Sequence, residues 1–414
     1  MKIRLSFIIG VIILLNVGCG SKNAIHKHIE LEEQSEDSIT FMIKVMGDKK
    51  TPLEKLIEDY NKTSDVKINI KKVAYDEYQY VLNMKMLSHD KPDIFMLEKD
   101  WVDTYVEKDW LLPIDIYMDK QFNKPYNYVL PLGMSTYRLV YNKDIFREVG
   151  LDPEKPPKTL EELYEYAIFI SKMKIGDSYG FALYLKDEES GFMSLLEDVN
   201  KMIGRDYYNH HQNKYDFTIY KDWFEKMIKI RQESGTLEYA MELKKDSVMK
   251  QFSESNIGMM IISNEDYFWL ASQEDMNIGI SQVPILSQED IADDNISIPG
   301  MLIGINKESE HGEDILKLCN KLTSKEWGTY MYEEGYIMPT YNMKLEELHS
   351  FEDVKTPKEF LPEKEMLFDE CHILDNEQER IRFNIYHEIL KGERTVDEGL
   401  ADITNMLNEI ALTK

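Results

Sequence analysis

Three cysteines in 414 residues, at positions 19, 319 and 371, are too few for a disulfide scaffold in an exported protein. Bases are in deficit, with 49 Lys and Arg against 76 Asp and Glu and a formal net charge of −27, which argues against a nucleic-acid binder. The longest apolar run, Leu5 to Leu15, falls short of the roughly 20 residues needed to span a bilayer. The chain has no phosphate-cradling glycine loop, no nucleophile elbow and no metal-ligand spacing. His210-His211 lies in a polar stretch without a third ligand nearby, so no zinc or other metal site is expected. An enzyme would have to rest on scattered carboxylates, and a glycoside hydrolase needs two acids about 5–9.5 Å apart. The sequence singles out no such pair, so the chain is read as a non-enzyme without a cofactor.

What is present is ordinary globular material, 43% hydrophobic, and long enough for two or three domain-sized cores. Lys2 and Arg4 followed by Leu5–Leu15 fit a signal peptide over residues 1–18. Residues 20–37 are polar without hydrophobic periodicity and read as a disordered tether. Ile39, Phe41, Ile43 and Val45 alternate as a first strand, and Gly47-Asp48-Lys49 turns the chain. Thr51-Pro52-Leu53-Glu54 then opens a helix with a capping box and a proline in its first turn. Val66, Ile68 and Ile70 give a second strand, Tyr78, Val81, Leu82 and Leu87 a second helix, and Asp93 to Leu97 a short buried strand. This βαβαβ order predicts a parallel sheet, with ligands beyond the carboxyl ends of its strands. The loops at that end carry Asp48, Lys49, Glu98, Asp100 and Trp101.

Farther on, Leu139–Tyr141 reads as a strand and Gly150 as a helix stop; Thr159 and Glu162 bracket another helix start. Trp223, Phe224 and Met227 recur at helical spacing and are expected in a core. Met276–Ile285 and Ser297–Ile305 read as strands on either side of an acidic loop. Thr323 with Glu326, and Thr395 with Glu398, form further capping boxes. Cys319, among Ile315, Leu318 and Leu322, is expected to be a buried thiol; a bridge to Cys371 stays open.

The runs LVYNKDIF, GLDPEKPPKTLEELYEYA and YGFALY resemble the solute-binding proteins of ABC importers, the carbohydrate-binding family in particular. MGDKK and PDIFMLEKD are similar to the first and third strand ends of maltose/maltodextrin-binding proteins, and TSKEWGTYMYEEGYIMPTY and ILKGERTVDEGL match later parts of the pattern. The resemblance implies an α/β, two-lobed periplasmic-binding-protein (Venus flytrap) fold. Each lobe would be a mainly parallel sheet flanked by helices, with hinge crossovers near Ser135, Pro284 and Pro339. Lobe one would comprise 38–134 plus 285–338, and lobe two 135–284 plus 339–414.

The same resemblance implies sugar contacts at Asp48, Lys49 and Asp100. Leu97 stands where the family has a stacking tryptophan, leaving Trp101 as a nearby substitute, and Ser135 or a neighbour replaces a contacting acid near the first crossover. In FSESNIGMMIISNEDYFWL, Asn264 and Glu265 or Asp266 replace the family's glycine and aromatic, with Tyr267, Phe268 and Trp269 just beyond; Tyr336 follows Gly335 as a cleft residue. Asn16-Val17-Gly18-Cys19 resembles the lipobox of bacterial lipoproteins, although Asn16 departs from its usual aliphatic residue. This implies a lipid on Cys19, a tether over 19–37 and attachment to the outer face of the cell membrane. The expected partners are a small solute, a sugar first of all, and ABC permease subunits, with the protein acting as a monomer. With Asp48, Glu98, Asp100, Glu265 and Asp266 near the cleft, an amino sugar or cationic solute is the alternative ligand. A sensor co-receptor or adhesin is the alternative role.

Overall fold

A computed structural model describes residues 38–114, 126–173, 178–182, 200, 206–209, 211–233, 235, 243–273, 276–285, 298–339, 343, 345–352, 354–361, 374 and 376–413. The predicted signal peptide, tether and Cys19 lie outside them, as do Cys371, His210 and the acidic loop.

Two sheets carry the architecture. The first holds β1 (Ser38–Val45), β2 (Lys67–Ala74), β3 (Ile94–Leu97), β4 (Val129–Ser135), β11 (Ile298–Ile305) and β12 (Met338–Pro339), in the order β12-β4-β11-β3-β1-β2. The second holds β5 (Tyr137–Asn142), β6 (Tyr179–Phe181), β9 (Ile257–Ser263) and β10 (Ile278–Ser281), in the order β10-β5-β9-β6. A small hairpin, β7 (Tyr208–Asn209) with β8 (Lys214–Tyr215), stands apart. Each sheet has its own apolar core. Ile39, Phe41, Phe95, Ile303 and Ile315 belong to one, and Leu139, Phe146, Trp223, Ile261 and Ile403 to the other. Removing such side chains from water, at about 25 cal/mol per Å² of apolar surface, supplies the main drive for each lobe.

Local signals place the elements. Thr51 N donates to Glu54 Oε2 at 2.7 Å and Glu54 N donates back to Thr51 Oγ1 at 3.2 Å, closing the box that starts helix Pro52–Thr63. Thr159 with Glu162 does the same for a later helix. At Thr395 the expected box takes another form, with Glu398 N donating to Thr395 Oγ1 at 3.3 Å and the Thr395 hydroxyl, not its backbone N–H, donating to Glu398 Oε2 at 2.7 Å. Gly150 ends helix Lys143–Val149 at φ 87°, a left-handed conformation that glycine takes without a Cβ penalty. Ser324, rather than the expected Thr323, caps helix Lys325–Glu333 by accepting from Trp327 N. Cys319 is buried as expected, and burial pushes its thiol up to about 12.

The sheets are mixed, which corrects the expectation of mainly parallel pairing. β1 runs parallel to β2 and β3, but β11 is antiparallel to β3 and β4. β5 is likewise antiparallel to β9 and β10, while β6 and β9 are parallel. The reason is the seam between the sheets: β11 returns to the first sheet from the seam side and so runs against the strands that lead toward it. β5 follows β4 after a single residue, Thr136, and enters the second sheet from the seam.

That seam is pinned by buried polar contacts. Thr136 N donates to Asn264 Oδ1 at 2.8 Å and Thr136 Oγ1 to the Phe360 carbonyl at 2.5 Å. Arg138 is wholly buried and directs its guanidinium to the carbonyls of Tyr137, Glu359 and Leu361, which keeps a desolvated cation hydrogen-bonded.

Candidate functional site

A cavity of about 160 Å³ lies in the seam. From the first sheet it receives Lys44 near the end of β1, Lys49 in the following turn, Tyr75 after β2, and Glu98 and Lys99 after β3. From the second side come Tyr137, Lys245 on helix Lys245–Ser253, and four residues of helix Asn264–Leu270: Glu265, Asp266, Phe268 and Trp269. Met301 of β11 and Tyr336 complete the parts used below. Met301 is a non-glycine residue at φ 47°, and it is skipped in the pairing of β11 with β4, whose register is otherwise kept from Gly300 to Leu302. Such a backbone stores on the order of 1 kcal/mol and survives where surrounding structure holds it.

Charge on the wall is arranged in pairs. Lys44 bonds Glu98, and the Tyr75 hydroxyl donates to the same carboxylate at 3.4 Å. Lys245 meets Asp266 at 3.0 Å, and its ammonium also lies 4.6 Å from the centre of the Tyr75 ring. Lys44 lies 5.2 Å from the same ring, so one tyrosine face is flanked by a cation from each side of the seam. Asp266 has a second role: it closes a capping box with Ser263 that starts helix Asn264–Leu270. Glu265 Oε1 accepts from Ser135 Oγ at 2.6 Å. Burial pushes the Glu265 carboxyl up to about 7, against the opposing pull of the Ser135 bond and of Lys44.

The apolar wall is aromatic. Phe268 meets Tyr336 edge-to-face at 5.1 Å, and Lys49 Nζ lies 5.2 Å from the Phe268 ring centre. Gly47, at φ 70°, keeps the turn close to Trp269; a Cβ there would sit 3.2 Å from the indole Nε1. Ring faces, paired carboxylates and ammonium groups around a small cavity suit a solute with hydroxyls and C–H faces.

Of the sequence-predicted residues, Lys49, Glu98, Glu265, Asp266, Trp269 and Tyr336 share this cavity wall, and Ser135 touches it through Glu265. Asp48 is exposed and off the wall. The Asp100 side chain lies outside the described part of the structure. Trp101 sits in the first core, 6% exposed and stacked on Tyr78 at 6.3 Å, because the short turn after β3 directs it back over the sheet. Tyr267 packs on Phe360, away from the cavity, since its neighbours Asp266 and Phe268 take the cavity side of the helix. Sequence reasoning missed Lys44, Tyr75 and Lys245. Lys44 had a signal, a cation near the carboxyl end of a mainly apolar strand, but Lys245 sits in the polar run Lys244 to Ser247 with nothing to mark it.

Comparison with known proteins bears on this geometry. Residues 45–329 match the model of a family described as bacterial extracellular solute-binding protein. The sn-glycerol-3-phosphate-binding periplasmic protein UgpB of Escherichia coli K12 is 27% identical over 214 residues, 50% of this chain and 48% of that protein. The chain thus spans about half the length of the curated relatives it matches. An ABC transporter solute-binding protein of Thermotoga lettingae, solved with α-D-tagatose, superposes with a TM-score of 0.69 at 20% identity, covering 91% of this chain and all of that one. Maltose-bound MalE3 of T. maritima gives a TM-score of 0.68 at 18% identity, over 90% of this chain and 99% of that one. These likenesses establish the two-lobed periplasmic-binding-protein fold, and the family and these neighbours are binding proteins.

Proposed function

The chain belongs to the bacterial extracellular solute-binding protein family, and from that premise we propose that it captures a sugar-sized solute between its lobes for an ABC permease. The observation that carries this reading is the seam cavity, where aromatic faces and lysine–carboxylate pairs from both sheets converge on about 160 Å³. Closure of two lobes around a solute is a hinge motion of known type. The lobes are proposed as 38–134 plus 285–338 and 135–284 plus 339–414, supported by β4 and β11 lying in the first sheet and β5 and β10 in the second, although Ser135 and Pro339 at the bounds pair in the first sheet. Binding, not catalysis, is the role assigned to Glu98, Glu265 and Asp266, since each is already engaged by Lys44, Ser135 or Lys245. Lys49, Trp269 and Tyr336 join them as solute contacts, together with Lys44, Lys245 and Phe268. The protein acts as a monomer, held to the outer face of the cell membrane by a lipid on Cys19 after removal of residues 1–18.

A thermal-shift screen over sugars, sugar alcohols, sugar acids and sugar phosphates tests the reading. A ligand that binds only the folded state raises Tm by mass action, by the equivalent of about 2.7 kcal/mol at a hundredfold excess over Kd. A panel in which no member shifts Tm would overturn solute capture.

A further inference from the structure

Resting on the capture reading above, we infer that the solute carries an anionic group, a phosphate monoester or a carboxylate, held by the ammonium of Lys49. Among the described residues, the acids on the wall are already engaged. Glu98 is taken by Lys44, and Asp266 by Lys245 and by the N-terminus of its own helix. Glu265 accepts from Ser135, and burial raises its proton affinity, which weakens it further as a partner for a cation. Asp48, the acid that would have favoured a cation, is exposed and off the wall. A cationic solute would therefore meet carboxylates already paired, with the Lys49 ammonium on the same wall.

Lys49 is different. Among the described residues it makes no ion pair, and its Nζ lies 5.2 Å from the centre of the Phe268 ring. A ring face steadies an ammonium without using its N–H donors, so they remain directed to an acceptor of higher charge. Lys49 is exposed, so water solvates its ammonium until a solute arrives; a phosphate or carboxylate seated on the wall replaces that water with charge-assisted hydrogen bonds, which a neutral sugar matches only with weaker ones. The chain's overall charge of −27 does not oppose this at the site, because surface charges beyond a Debye length of about 8 Å are largely screened at physiological salt.

The test is titration calorimetry of the full-length protein with probes on one carbon skeleton: glucose, glucose 6-phosphate, glucuronate and glucosamine, with glycerol 3-phosphate as a smaller phosphate. At least one anionic probe is expected to bind about tenfold or more tighter than both glucose and glucosamine. Preference for the phosphates or for glucuronate tells which anion is read. Lys49→Met should abolish the preference and Lys49→Arg keep it. Equal or tighter binding of glucose or glucosamine overturns the inference, as does a Lys49→Met protein that still prefers the anion. If tagatose, maltose or mannitol binds while no anionic probe does, the anion inference falls and solute capture stands. If nothing in the wider panel binds, both fall.

Discussion

Ser135 Oγ donates to Glu265 Oε1 at 2.6 Å, so the last residue of β4 in the first sheet is tied to the helix that follows β9 in the second. The contact crosses the seam beside the cavity, and it places a carboxyl with a displaced proton affinity where the lobes meet.

Glu265 makes stability depend on pH. Its folded-state value is raised from an ordinary 4.5 to about 7, with burial the leading cause. Between those values the folded protein holds more proton than the unfolded chain, so this group's contribution declines as pH rises through the window. Glu265→Gln removes that contribution. Relative to the wild type, the variant is expected to gain about 3 kcal/mol on going from pH 4.5 to pH 8, read as a difference in Tm or denaturation midpoint. Parallel pH profiles for the two proteins would show that Glu265 does not titrate in this range.

Gly300 is the floor under the same contact. A Cβ there would lie 2.1 Å from Ser135 Oγ and 2.2 Å from Glu265 Oε1, closer than any real contact. Gly300→Ala should therefore destabilise the protein by about 1–3 kcal/mol through overpacking. In a Glu265→Ala background the loss should shrink, because one of the two colliding groups is gone. Chemical denaturation of the four proteins gives the coupling directly, and equal losses in both backgrounds would sink the argument.

Much of this fold is written locally. Alternation in β1, the Thr51–Glu54 box and the Gly150 stop all act within a few residues, so a linear reading finds them. Strand direction in the mixed sheets does not act locally; it depends on which lobe the chain has just left. The site divides in the same way. Lys49 and Glu98 follow strands that the pattern already placed, and Trp269 came from the family resemblance, whereas Lys245 reaches Asp266 and Tyr75 only through the meeting of two lobes. Trp101 was misplaced because exposure of a turn residue depends on which way the turn bends. Here it bends toward Tyr78.

The membrane anchor makes a separate claim. Val17-Gly18-Cys19 after a short apolar run resembles a lipobox, and processing before Cys19 with lipid on its sulfur is proposed on that resemblance. Cys19→Ser should leave the protein either unprocessed or in the soluble fraction. A substituted protein of mature length that still sediments with membranes would reject the lipoprotein reading.

Trp101 and Phe268 separate core from wall. Trp101 is buried on Tyr78, and its Nε1 has no hydrogen-bond partner among the described residues. Trp101→Ala should cost about 3–5 kcal/mol of stability by opening a cavity, with solute affinity unchanged in the protein that remains folded. Trp101→Phe should be much milder, since it keeps most of the ring and removes an unsatisfied donor. Phe268 is half-buried on the cavity wall, between Lys49 and Tyr336. Phe268→Ala removes a stacking face and frees the Lys49 ammonium to wander. It should weaken solute binding about tenfold or more while moving the unliganded midpoint by no more than about 1–2 kcal/mol. Calorimetry and denaturation on the same preparations decide it. If Phe268→Ala matches Trp101→Ala in stability loss and leaves affinity untouched, Phe268 is a core residue and the cavity is not where the solute binds.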